Sequence, residues 1–133
     1  MYKSIGEAAK CASIPISSIR FYEKKGLLAT AIRTASGRRV YSPEDMQIIL
    51  LIANSRRLGL PIEQIRSLIN LLQREAANHE AIHTIIQEHL DLLHEREREL
   101  QAHKKQLSRM LELCNQNIEN KCSILSELQE DSY

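Results

Sequence analysis

Apolar positions along the chain change period several times, and each change marks an element. Ser4-Ile5-Gly6-Glu7 has the form of a capping box, with Ser4 and Glu7 each able to close the other's backbone amide, and predicts a short helix to about Cys11. A second helix is predicted over Ile16 to Lys25, with Ile19 and Phe21 or Tyr22 inward and Gly26 as the left-handed stop. The tight turn between them, Ala12 to Pro15, makes the pair a helix-turn-helix candidate.

From Leu27 to Tyr41 the periodicity is lost. Ser36-Gly37 is a turn dipeptide flanked by Arg33 and by Arg38-Arg39-Val40-Tyr41, which predicts a small irregular hairpin, or wing. Ser42-Pro43-Glu44-Asp45 is a strong helix start, with an N-cap serine, proline in the first turn and two acids at the positive end of the helix dipole. That helix is expected to end near Leu58, before Gly59. Another follows Pro61, with Ile62, Ile65, Leu68, Ile69 and Leu72 on its apolar face.

Between His79 and Leu113 there is neither glycine nor proline, and Ile86, Leu93, Leu100, Leu107 and Cys114 recur at seven-residue intervals. This is a coiled-coil seam. A flanking seam is imperfect, with Ile82 and Met110 at its ends and His89, Arg96 and His103 between them. A helix of roughly 35 residues is roughly 50 Å long, too long to bury its stripe on the short elements before it. It needs a partner helix, and a second copy of the chain is the simplest source. One or two further helical turns are expected from Ser123 to Leu128.

Composition narrows the function. The 133 residues are 43% hydrophobic but only 4% aromatic, with no tryptophan and only four glycines and three prolines, which suits a small helical core better than an all-β fold or a deep catalytic cleft. No phosphate-binding glycine loop and no Ser/His/Asp spacing points to an enzyme. The longest apolar run, Ile48 to Ala53, is far too short to span a bilayer, and Met1-Tyr2-Lys3-Ser4 does not begin a signal peptide, so a cytoplasmic location is expected. Three cysteines in a reducing compartment suit a metal or redox site better than a disulfide framework.

The net charge of +1 conceals an asymmetry. Residues 1–60 hold ten Lys/Arg against four acids, while residues 61–133 hold eight against thirteen. A basic head on an acidic, self-associating tail fits a polyanion-binding protein. Composition by itself leaves DNA, RNA and an anionic membrane surface open.

The stretch Ser18-Ile19-Arg20-Phe21-Tyr22-Glu23-Lys24-Lys25-Gly26-Leu27-Leu28, followed by Arg33 and Ser36-Gly37-Arg38-Arg39-Val40-Tyr41-Ser42, resembles the MerR family of transcriptional regulators in its recognition helix and wing. The resemblance implies a mainly α protein. A winged helix-turn-helix DNA-binding domain with auxiliary helices occupies residues 1–75, a dimerisation helix in an antiparallel coiled coil 76–113, and a metal-binding loop with a short terminal helix 114–133. It also implies promoter DNA, RNA polymerase and a second copy of the chain as partners. In that reading an effector makes the bound dimer bend and untwist the promoter, realigning its elements for polymerase.

DNA contacts are expected from Ser18, Arg20, Tyr22 and Lys24 on the second helix, with Arg20 and Tyr22 foremost by resemblance. The wing would contribute Arg33, Ser36, Gly37, Arg38, Arg39 and Tyr41, and Arg56 and Arg57 would add phosphate contacts. Arg38 stands where the family's wing usually has tyrosine. Phe21 is expected in the core, and so is Cys11.

Cys114 and Cys122 bracket a seven-residue loop, Asn115 to Lys121. Two thiolates joined by a short loop suit a soft ion, with linear Cu(I) or part of a tetrahedral Zn(II) set both open. The loop resembles that of the copper-efflux members, which favours Cu(I)/Ag(I). His79 falls where that branch places the residue facing the partner's loop, and an imidazole there either supplies a third ligand for Zn(II), Cd(II) or Co(II), or only caps the helix or excludes divalent ions. His79 and His83 also have the i, i+4 spacing of a ligand pair, though most such histidines are surface residues. The alternatives to a metal site are two inert cysteines, with Cys114 completing the seam and Cys122 packing the terminal helix, a thiol switch formed by Cys114 and Cys122, or an organic effector. A coiled-coil interaction protein without a DNA role is a third class.

Overall fold

The computed structural model describes residues 1–29, 31–74, 79–116 and 123–130. The elements, in order, are strand β1 (Lys3–Ser4), helix α1 (Ile5–Ala12), helix α2 (Ile16–Lys24), strand β2 (Ile32–Arg33), strand β3 (Arg39–Tyr41), helix α3 (Pro43–Arg57), helix α4 (Ile62–Leu72), helix α5 (His79–Gln116) and helix α6 (Ser123–Leu128). The chain divides into two compact units, Met1–Ile85 and Ile86–Tyr133, with the boundary inside α5.

The first unit contains the main core. Ile19, Leu28, Tyr41, Ile49, Ile52 and Ile65 are fully buried, drawn from α2, the loop after it, β3, α3 and α4. Helix α3 is the centre of this packing because its run Ile48 to Ala53 is apolar all round: Met46, Ile49, Ile52 and Ala53 are buried while Ile48 and Leu51 pack at the edge. On α4, Ile65 and Ile69 carry the buried stripe. Leu72 was expected on it but is 55% exposed, lying in the final turn beyond the packed stretch.

Both helix starts are built as the chain pattern implies. Glu7 N donates to Ser4 Oγ at 3.2 Å and Ser4 N to Glu7 Oε1 at 3.1 Å. Those hydrogen bonds to the carboxylate hold the Glu7 carboxyl below its ordinary range. At α3, Asp45 N donates to Ser42 Oγ at 3.1 Å and Ser42 N to Asp45 Oδ2 at 2.9 Å, a cap worth about 1 kcal/mol. Gly26 and Gly59 follow their helices in the left-handed region, at φ 74° and 83°.

The turn between α1 and α2 needs a left-handed residue too, and here it is Ser13, at φ 56°. The wing is part of a three-stranded antiparallel sheet with order β1-β3-β2. Lys3 pairs with Tyr41 and Ser4 with Val40 on one side of β3, and Ile32 pairs with Val40 and Arg33 with Arg39 on the other. Strand β1 was not expected. Ser4 was read only as a cap, and two residues have no periodicity from which to infer a strand.

In the second unit, α5 leaves its seven-residue stripe open: Ile86, Leu93, Leu100 and Leu107 are 47%, 39%, 61% and 58% exposed, and Cys114 is half-buried. His89 and Met110, from the flanking row, are instead buried at 6% and 3%, while Arg96 and His103 remain exposed. No helix among the described residues is long and apolar enough to cross a membrane.

A basic groove between recognition helix and wing

Helix α2 sorts its side chains into two faces. Ile19 and Tyr22 turn into the core, at 0% and 8% exposure, and Ser18 is half-buried. Ser17, Arg20, Phe21 and Lys24, spaced i, i+3, i+4 and i+7, line the outer face. This corrects two expectations. Phe21, expected in the core, is 43% exposed, with Lys25 Nζ 5.6 Å from its ring centroid. Tyr22, expected as a leading DNA contact, has its ring in the core on the side of α2 away from Arg20 and Lys24. One helical step decides between the two rings, and only the packing of α2 determines which is inside.

Arg20 lies with Arg33, Arg38 and Arg39 around an open groove of about 550 Å³, whose floor is Ser4, Ile5 and Gly6 at the start of α1. The positive end of α1 and four arginine side chains thus line one concavity. The wing tip is held by its own hydrogen bonds. Thr34 N donates to Arg38 O at 2.8 Å, Gly37 N to Thr34 O at 2.9 Å and Arg38 N to Thr34 Oγ1 at 3.1 Å, while the Thr34 and Ser36 hydroxyls lie 2.9 Å apart. Gly37, at φ 85°, supplies the conformation this turn requires. Arg33 Nη1 donates to Gly37 O at 3.0 Å, so its guanidinium lies along the turn. Arg38 is exposed.

Two expected wing contacts are used inside the protein. Tyr41 is fully buried and its hydroxyl donates to Glu23 Oε1. Burial foremost, then the hydrogen bond to and negative charge of Glu23, push its phenol well above the ordinary tyrosine range. A phosphate contact by Tyr41 is thereby corrected, since a hydroxyl beneath the surface cannot reach a backbone outside. Arg39 Nη1 lies 3.3 Å from Glu23 Oε2, an ion pair in which Glu23 is 9% exposed. Glu23 was missed in the sequence as a site residue because its partners lie 16 and 18 positions away.

Arg56 and Arg57 also have internal uses. Arg56 Nη1 donates to Leu60 O at 3.2 Å, Arg57 Nη1 to Asn54 Oδ1 at 2.7 Å and Arg57 Nη2 to Ala12 O at 2.5 Å. They tie the end of α3 to the following turn and to the end of α1, which accounts for two arginines at that place without a phosphate.

Sequence comparison decides what this groove belongs to. The family model of MerR helix-turn-helix regulatory proteins matches residues 3–72, and a second model, the MerR DNA-binding region, matches residues 46–110. The chain belongs to the MerR family. Members are transcription regulators and not enzymes, and this one has the family's winged helix-turn-helix followed by a long C-terminal helix. Among its relatives, the regulator ZntR of Escherichia coli K12 is 34% identical over 133 residues, covering 98% of this chain and 94% of that protein. Heavy metal-dependent transcription regulator 2 of Rhizobium meliloti is 28% identical, covering 97% and 88%. The crystal structure of PbrR691 from Ralstonia metallidurans CH34 in complex with lead(II) superposes with a TM-score of 0.79 at 28% identity, covering 95% of this chain and 98% of that one.

For a metal, this MerR chain offers soft sulfur and imidazole donors. Cys114 is a free, half-buried thiol two positions before the end of α5, and His79 is an exposed first residue of the same helix. Cys122 and residues 117–121 before it lie outside the described residues, while Asn115 and Gln116, expected in the loop, are the last two positions of α5. A half-buried thiol at a helix end fits one ligand of a thiophilic ion. Among the described residues, no three His, Cys, Asp or Glu side chains gather into a metal-binding group. Cys11 is exposed on α1 and not in the core as expected.

Proposed function

We propose that this protein is a metal-responsive regulator that binds promoter DNA as a homodimer and activates transcription when a thiophilic ion is bound. The observation that carries the DNA reading is the groove in which Arg20, Arg33 and Arg38 surround the first turn of α1, beside the outward row Ser17, Arg20, Phe21 and Lys24. Cations held at fixed spacing suit a phosphate backbone, and an exposed helix face carrying arginine and an aromatic suits base edges in a major groove. The wing tip at Ser36, Gly37 and Arg38 lies against the flanking backbone.

Dimerisation is supported by the open stripe Ile86, Leu93, Leu100 and Leu107. A contiguous apolar row on a long helix is stable in water only when covered, and an antiparallel copy of α5 has the matching period. Cys114 and Cys122 hold the ion, with His79 of the second copy as an added ligand if a divalent ion is admitted. The names of the R. meliloti regulator and of the lead-bound PbrR691 structure support a heavy-metal effector. The short loop favours Cu(I)/Ag(I) over Zn(II)/Cd(II). Ion binding ties the end of α5 to the segment after it, and the dimer then distorts the promoter into a form RNA polymerase uses.

The test is a competition titration of reduced protein with Cu(I) and with Zn(II), in the wild type, Cys114→Ser and His79→Ser. Tight binding of at least one ion, lost in Cys114→Ser, is expected, and selective loss of Zn(II) in His79→Ser assigns the third ligand. Weak binding of both ions, unchanged by Cys114→Ser, removes the metal reading.

A further inference from the structure

Within the cationic surface formed by Arg20, Lys24 and Arg39 lies one acid, Glu23. An acidic group beside a phosphate-binding surface opposes binding, so its position calls for a reason. Glu23 is 9% exposed and turned toward β3, where Arg39 and Tyr41, two residues apart and therefore on one face of the strand, both reach it. A nearly buried carboxylate needs such partners, because losing them strands a charge away from water. The Tyr41 ring is fixed in the core and cannot follow a moving carboxylate. Arg39 faces Arg33 across the β2–β3 pair, so Glu23 also offsets a like-charge pair in the sheet.

We propose that Glu23 is a positioning residue that locks α2 to the wing through Arg39 and Tyr41 and withholds the Arg39 charge from DNA. Recognition helix and wing then meet the duplex as one unit, and non-specific attraction is held down, which widens the gap between right and wrong sequences. This rests on the DNA-binding reading of the groove.

The experiment measures binding of full-length protein to a duplex selected from a random pool and to a scrambled duplex, each across a salt series. Each neutralised phosphate adds about 0.9 to the magnitude of the log–log salt slope. Glu23→Gln keeps the side chain's shape and frees Arg39. It is expected to bind the scrambled duplex several-fold more tightly, with a slope steeper by about 0.9, and its preference for the selected duplex should fall roughly tenfold. Arg39→Gln in the presence of Glu23 should leave the slope unchanged, and the double variant should return to the wild-type slope. Tyr41→Phe should lower the preference with no change in slope. A merely structural Glu23 would lower the unfolding temperature and move neither slope nor preference.

The proposal is overturned if Arg39→Gln alone removes one phosphate from the slope, or if Glu23→Gln keeps wild-type slope and preference. Should Glu23→Gln fail to fold, the Arg39→Gln and Tyr41→Phe outcomes decide. Failure of the wild type to hold any duplex at low salt removes the DNA reading itself. The lock is then judged by a thermal-unfolding cycle of Glu23→Gln, Tyr41→Phe and the double variant, where strict additivity overturns it.

Discussion

Arg66 Nη2 on α4 donates to the backbone carbonyl of Lys25, the residue that closes α2, at 3.0 Å. The last carbonyls of a helix have no partner within it, and a guanidinium from another helix supplies one here. The same side chain stands over Gly26, whose left-handed conformation turns the chain into the wing. An auxiliary helix thereby holds the end of the recognition helix.

Arg66→Ala removes that donor and should cost about 1.5 kcal/mol of stability, the low end for a hydrogen bond with one charged partner because the contact is exposed. Denaturant unfolding checks this, and amide exchange at the end of α2 should speed up more than in α3. Unchanged stability and exchange would show that the contact carries nothing.

The outer face of α2 joins two kinds of contact that salt distinguishes. Arg20→Gln should reduce the magnitude of the salt slope for duplex DNA by about 0.9, at all sequences alike if its contact is to phosphate. Phe21→Ala should leave the slope unchanged and lower preference for the selected sequence by about 1–2 kcal/mol, since an apolar side chain releases no counterions and can contact a thymine methyl. Equal slopes for Arg20→Gln and wild type, or a slope change in Phe21→Ala, would contradict these roles.

Tyr41 makes stability depend on alkaline pH. Burial, then the Glu23 hydrogen bond and charge, raise its folded pKa above the unfolded value of about 10. Its contribution is therefore fully present below about pH 10 and is lost as pH rises from there toward the folded value. Ultraviolet titration of the wild type should contain a late tyrosine step that coincides with unfolding, and Tyr41→Phe should lack it. A wild-type titration complete near pH 10, with the fold intact, would overturn the account.

Leu100 is 61% exposed in the middle of the open stripe of α5. Leu100→Lys should shift sedimentation from dimer to monomer at micromolar concentration while the unit Met1–Ile85 keeps its fold. Duplex binding should weaken at least tenfold, because two linked heads gain from effective concentration and one alone does not. A wild type that sediments as a monomer and still discriminates between sequences would sink the dimer.

Most element boundaries were legible in the chain because their causes are local. Ser4 with Glu7, Ser42 with Asp45, and Gly26, Gly37 and Gly59 act within four residues of where they stand, so spacing alone places the helices and the wing turn. The cationic groove was legible as composition, since the arginines cluster in the first 60 residues. Its internal division was not. Arg39 and Arg57 look like Arg20 and Arg38 in sequence, and only their distant partners Glu23 and Ala12 set them apart.

By itself, then, the sequence determined the order of the helices and the wing, the basic head and the seven-residue stripe, all of which follow from periodicity, capping and charge. Tertiary structure decided that Tyr22 rather than Phe21 enters the core, that β1 pairs with β3, and that Glu23 binds Arg39 and Tyr41. Each of those choices turns on a neighbour far along the chain. A helix with apolar groups at adjacent positions can bury either one, and only the surface it meets selects between them.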